Sequence, residues 1–125
     1  MREFELTVPL STNPHIFVGM KPITVIFNEE SIKVKSWREA FTVILKQCNK
    51  DEEHHKTLMY LQDKISGKCR TFLSHSPDGM TKPVQIDKNM YAETHYGSQT
   101  LMHILVQRIL KPVQFDYSKI SIIIK

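Results

Sequence analysis

An α+β fold is what this sequence predicts, and three observations predict it. Short stretches of period-two alternation recur along the chain. Three longer stretches carry apolar residues at helical spacing. The two kinds are mixed without a regular βαβ repeat, which favours a largely antiparallel sheet with about three helices over a parallel one. With 125 residues, 41% of them apolar and 24% charged, the chain suits one domain that buries about two thirds of its unfolded surface.

Phe4, Leu6, Val8 and Leu10 alternate with Glu5, Thr7 and Pro9, as in a half-buried strand. Ser11 to Pro14 is a turn-rich break, and His15 to Val18 reads as a further short strand before Gly19 to Pro22 punctuates again. A hairpin follows. Ile23, Val25 and Phe27 point inward, Asn28-Glu29-Glu30 turns, and the return strand sets Ile32 and Val34 inward with Ser31, Lys33 and Lys35 outward. Outward lysines also protect a sheet edge from pairing.

Ser36 to Glu39 has capping-box spacing. It opens a helix with Trp37, Ala40, Phe41, Ile44, Leu45 and Cys48 on one face. Asn49-Lys50 breaks this helix, and Asn49 with Glu52 has capping spacing for a second, reaching about Ile65 and stopping at Ser66-Gly67. Lys68 to Ser74 reads as a strand, His75 to Pro83 as a loop, Val84 to Ile86 as extended, and Met90 to Thr94 as a strand. Ser98 caps a third helix whose wide apolar face (Met102, Leu105, Val106, Ile109, Leu110, Val113) marks it as central to the core. Pro112 ends it. The last strand places Ile120, Ile122 and Ile124 on one face, with Ile123 as an apolar exception on the other.

No apolar run approaches the ~20 residues of a membrane span, and the N-terminus lacks the continuous apolar stretch of a signal peptide. The expectation is a cytoplasmic protein with no membrane partner. Cys48 and Cys69 do not form a disulfide framework: Cys48 reads as a small core residue, and Cys69 lies between Lys68 and Arg70. The net charge of +4 and pI near 9.1 lean mildly toward acidic partners. Thirteen of the seventeen cations are Lys, commonly a solvating residue, so charge alone does not decide.

Residues that carry chemistry are scattered. His54 and His55 are adjacent and point about 100° apart on a helix, and no zinc-type spacing occurs. No metal and no cofactor is expected. There is no Gly-flanked nucleophile, Walker loop or dinucleotide fingerprint. Glu93 is the one carboxylate on a predicted strand among aromatics, and a buried carboxylate paired with a nearby Arg or Lys is its plainer reading. No catalytic residue is assigned, although a hydrolase built on Glu93, His95 and Arg70 is a third possibility. The stretch from Lys68 to Tyr96 interleaves cations, short polar groups and aromatics (Lys68, Arg70, Ser74, Lys82, Lys88, Tyr91) in a way that suits phosphates and bases.

Four segments, V-K-S-W-R-E-A-F, G-K-C-R-T-F-L-S, K-P-V-Q-I and M-Y-A-E-T-H-Y-G-S-Q-T-L, together resemble an uncharacterised bacterial domain found in restriction-linked, DNA-associated and mobile-element proteins. The resemblance covers residues 23–125, leaving the first 21 or so as a variable strand segment, and departs from the family pattern at His95-Tyr96-Gly97. The matching positions are Ser36, Trp37, Arg38, Arg70, Phe72, Ser74, Pro83, Tyr91, Glu93 and Thr94. A DNA-associated setting is what it implies. The expected function is therefore a non-catalytic module that engages nucleic acid or a nucleic-acid-processing complex. Its contacts would come from Lys33, Lys35, Arg38, Lys68, Arg70, Ser74, Lys82, Lys88 and Tyr91. The alternative is a small inhibitor from a phage or mobile element that occludes a nuclease through Met1 to Lys21.

Overall fold

The structure is a computed structural model and describes residues 5–27, 29–62 and 72–125. Seven strands and three helices follow one another in it. They are β1 (Leu6–Pro9), β2 (Pro22–Phe27), β3 (Glu30–Lys33), α1 (Trp37–Lys50), α2 (Glu52–Leu61), β4 (Leu73–Ser74), β5 (Pro83–Asp87), β6 (Met90–Glu93), α3 (Ser98–His103) and β7 (Ile120–Ile124). The α+β class is as the sequence predicts, but the strands form two antiparallel sheets. One has the order β1-β7-β2-β3 and the other β4-β6-β5.

In the larger sheet the last strand is central. β7 lies between β1 and β2, and Ile120, Ile122 and Ile124 are buried on its inner face. β2 and β3 pair antiparallel, with Phe27 opposite Glu30. β1 follows its alternation only in part. Val8 and Leu10 are buried, whereas Leu6 is 49% exposed at the outer edge of the sheet. A register shift between Pro22 and Thr24 also leaves Ile23 only half-buried, because a bulge inserts one residue and breaks the period of two.

Residues 15–18 are not a strand. Pro14–Phe17 form a 3₁₀ turn, with the Asn13 side chain accepting the His15 N–H at 3.0 Å. Pro14 at the first helical position has its φ already set for such a turn. Its product is the burial of Phe17, whose ring sits 4.8 Å from that of Trp37.

α1 joins the two sheets: it packs on β2, β5, α2 and α3. Ser36 caps it, its hydroxyl accepting the Glu39 N–H at 3.1 Å, and Ala40, Phe41, Ile44, Leu45 and Cys48 are all buried, as their spacing predicts. Its far end departs from expectation. Asn49 does not break the helix, which runs through Lys50, and Asp51 rather than Asn49 caps α2, accepting from the His54 N–H at 3.2 Å. Asn49 instead donates to Asp87 at 2.8 Å and faces the His55 ring at 2.7 Å. The Asn49 amide and the Lys88 N–H hold the Asp87 carboxyl below the usual carboxylate range. The expected end of the second helix near Ile65 to Gly67 lies outside the described residues.

Gly97, not Ser98, occupies the cap of α3, because the Ser98 hydroxyl donates to the Phe17 carbonyl. Beyond His103 the helix widens into π-type turns over Ile104–Leu110, which keep Leu105, Ile109 and Leu110 fully buried. No described helix is long and apolar enough to cross a membrane.

Burial and the nearby Asp51 carboxylate push the Cys48 thiol from 9.0 up to about 12. Folded Cys48 should therefore resist alkylation at pH 8 and react fully once the protein is denatured, as mass spectrometry of the labelled peptide would read. The folded thiol keeps its proton where the unfolded thiol has lost it. This site's contribution to stability is thus complete below pH 9.0 and falls as pH rises toward 12. Alkylation of native Cys48 at pH 8 would contradict its burial.

Candidate functional site

Register decides which side chains share the open face of the larger sheet. Residues directly opposite one another point the same way, so Thr7, Ile123, Thr24 and Lys33 form one row across β1, β7, β2 and β3. Lys21 and Lys125 exchange both backbone hydrogen bonds, each at 3.0 Å, and so lie opposite one another at the end of the same face. Lys21, Lys33 and Lys125 thus gather at one end of this face, all exposed. Among the described residues, register brings the acid Glu5, preceding β1, toward them. Lys35 follows β3 in a bend that leads into α1.

Directly after Lys35, Ser36 caps the helix, and Arg38 in its first turn reaches across to the smaller sheet. Its Nε donates to Thr94 Oγ1 at 3.1 Å and one Nη to the Pro83 carbonyl at 3.0 Å. Thr94 in turn donates both its N–H, at 3.0 Å, and its hydroxyl, at 2.7 Å, to the Lys82 carbonyl. Arg38 and Lys82 are therefore held on either side of one side chain, with both remaining exposed. A guanidinium has five N–H donors, so this tie fixes the fork and leaves the remainder able to meet an anion.

Glu93 anchors the loop that carries Lys82. Its carboxylate is 1% exposed and accepts four backbone N–H groups, from Thr81 (2.7 Å), Lys82 (2.8 Å), Thr94 (3.0 Å) and His95 (3.1 Å). The sequence suggests an Arg or Lys as the partner of this carboxylate, and the candidates Lys68 and Arg70 lie outside the described residues. Four donors match the lone-pair capacity of a carboxylate, which describes an anchor better than an acid or base awaiting a substrate.

Two clefts flank the Arg38–Thr94–Lys82 tie. One, of ≈ 410 Å³, is lined by Ser36, Arg38, Glu39, Thr42 and the start of β5. The other, of ≈ 350 Å³, is lined by Lys82, Thr94, His95, Tyr96 and Gly97. Among the described residues no group of three or more His, Cys, Asp or Glu is arranged to hold a metal ion. Compared with protein-family models, with curated proteins and with solved structures, the chain matches none of them.

Of the residues singled out from the sequence, Lys33 is brought beside Lys21 and Lys125 on the open sheet face, and Arg38 and Lys82 are brought together through Thr94. Lys88 joins neither group: it lies in the β5–β6 turn, at the opposite end of β5 from Pro83, where its N–H donates to Asp87 at 2.7 Å. Four residues of strand separate the two ends, roughly 13 Å. Ser74 is 8% exposed, its hydroxyl accepting the Ser76 N–H at 3.3 Å, which puts it inside the domain rather than on its surface. Tyr91 is half-buried on β6, opposite Ser74 and Gln85. Lys68 and Arg70 lie outside the described residues. Lys21 and Lys125 escape the sequence reading because nothing but strand register brings position 21 beside position 125.

Proposed function

We propose that the chain is a non-catalytic module that binds nucleic acid through its phosphate backbone, in the DNA-associated setting that the resemblance implies. The observation that carries this reading is two groups of exposed cations: Lys21, Lys33 and Lys125 at one end of the open sheet face, and the pinned Arg38 beside Lys82. Cations spread evenly over a surface solvate it. Cations aligned along one side follow a polyanion and release its counterions on binding.

If about five phosphates are neutralised, affinity for a mixed-sequence oligonucleotide should fall by ~10²–10³-fold between 50 and 200 mM salt. Fluorescence anisotropy at several salt concentrations measures this. Reversing two cations together, Lys33→Glu with Lys35→Glu, should lower the magnitude of the log–log salt slope by about two. Both residues are exposed, so the fold should survive. Binding that ignores salt, or no binding at low salt, would refute the reading.

A second reading rests on a separate observation. Leu6, Ile16 and Val18, exposed by 49%, 40% and 53%, lie in the first 21 residues, and β1 is an edge strand among the described residues. Apolar exposure beside an open edge suits strand addition to a protein partner, as an inhibitor acting by occlusion would use. A complex with a nuclease that withstands removal of all nucleic acid, and is lost in Ile16→Asp, would favour it over the first.

A further inference from the structure

We infer that the cleft lined by Lys82, Thr94, His95, Tyr96 and Gly97 is a stacking site for an unpaired base, which makes the surface selective for single-stranded over duplex nucleic acid. This rests on the nucleic-acid reading above and adds to it the form of the ligand.

The two clefts beside the Arg38 tie differ in chemistry. The one toward α1 contains the Glu39 carboxylate, which repels a polyanion. The other has no acid in its lining and combines a cation, two aromatic rings and a glycine. Gly97 leaves open space where a side chain would stand: a Cβ built there meets nothing within 4 Å. A flat ring can therefore approach the main chain.

The walls are rigid. Glu93 holds the Lys82, Thr94 and His95 amides, and Thr94 is bonded twice to the Lys82 carbonyl. The Tyr96 ring is set edge-on to Phe72, with centroids 5.9 Å apart and planes at 73°, and the Arg108 guanidinium lies 5.5 Å from the centre of the Phe72 ring. His95 is exposed at the rim. Aromatic rings beside cations are what recognition of single strands requires, because an unpaired base offers its π-face while its neighbouring phosphates meet Lys and Arg. Lys82 in the cleft and Arg38 across Thr94 stand where such phosphates would lie. A base inside a duplex has both faces stacked and offers only its edges, so the same cleft gives nothing to a paired strand.

The test is fluorescence anisotropy of the full chain at low salt. It would use one labelled mixed-sequence 20-mer as a single strand, as its duplex, and as a strand with several abasic sites. The inference expects the single strand to bind at least tenfold tighter than the duplex. His95→Ala should weaken single-strand binding by about tenfold while leaving the duplex within twofold. The abasic strand, with its phosphates intact, should bind like the duplex and be insensitive to His95→Ala. Equal affinity for all three forms, unchanged by His95→Ala, would overturn the stacking site and leave the phosphate-binding reading standing. Absence of binding to any form would overturn both.

Discussion

Glu93→Gln should destabilise the protein by about 3 kcal/mol, and thermal or urea unfolding would show it. A carboxylate presents acceptors on both oxygens, and here they receive the N–H groups of Thr81 on one and of Lys82, Thr94 and His95 on the other. An amide has one oxygen and one NH₂. Whichever way it is turned, the NH₂ faces at least one buried N–H, so a hydrogen bond is lost and two donors are opposed. The charge that strengthens the remaining bonds is lost as well. Amide hydrogen exchange would locate the damage: protection should drop first at Thr81, Lys82, Thr94 and His95. Because this loop carries Lys82, nucleic-acid affinity should fall in parallel although Glu93 itself is buried. Unchanged stability in Glu93→Gln would show that the carboxylate is not the anchor, and would return it to consideration as an acid or base.

Phe41→Ala should remove about 4 kcal/mol, a large part of the stability of a domain this size. Phe41 is fully buried on α1, the element that touches β2 of one sheet and β5 of the other. Truncation removes the transfer free energy of an aromatic side chain. It also leaves a cavity between two sheets that are not hydrogen-bonded to each other and that meet through the helix. Neither sheet can collapse fully into the space without straining the other. The denaturation midpoint should fall with the m-value unchanged, since the surface exposed on unfolding is nearly the same. A loss below 1 kcal/mol would mean that α1 is not the joint between the sheets.

The two variants test different parts of one arrangement. Arg38 ties the first turn of α1 to the loop after β6, and Asn49 ties its last turn to Asp87 at the end of β5. The helix is thus fastened to the smaller sheet at both ends, and the clefts beside Arg38 inherit their shape from that fastening. This is why a core substitution and a buried carboxylate both bear on a surface whose contacts are cationic.

Local physics was legible from residues alone. The cap at Ser36, the apolar face of α1, the hairpin alternation and the Ile120, Ile122, Ile124 face of β7 each depend on neighbours within a few positions. There the period of side chains along a helix or strand determines which face is buried. At the two caps where the local reading failed, a contact from far along the chain had taken the group. Asn49 was drawn from capping duty by Asp87, 38 positions on. Ser98 was drawn away by the Phe17 carbonyl, 81 positions back. Spacing cannot reveal such competition, because the winning partner has no fixed offset in sequence.

The same division holds for the candidate site. The sequence by itself determined the fold class, most strands and helices, and a supply of cations with no legible catalytic pattern. Tertiary structure decided that the strands form two sheets and that Lys21 lies opposite Lys125. It also decided that Arg38 and Lys82 share Thr94, that Lys88 stands apart, and that four main-chain amides converge on Glu93. Charge composition is a sum over the chain, whereas an interface is a set of positions. Only strand register and side-chain ties convert one into the other.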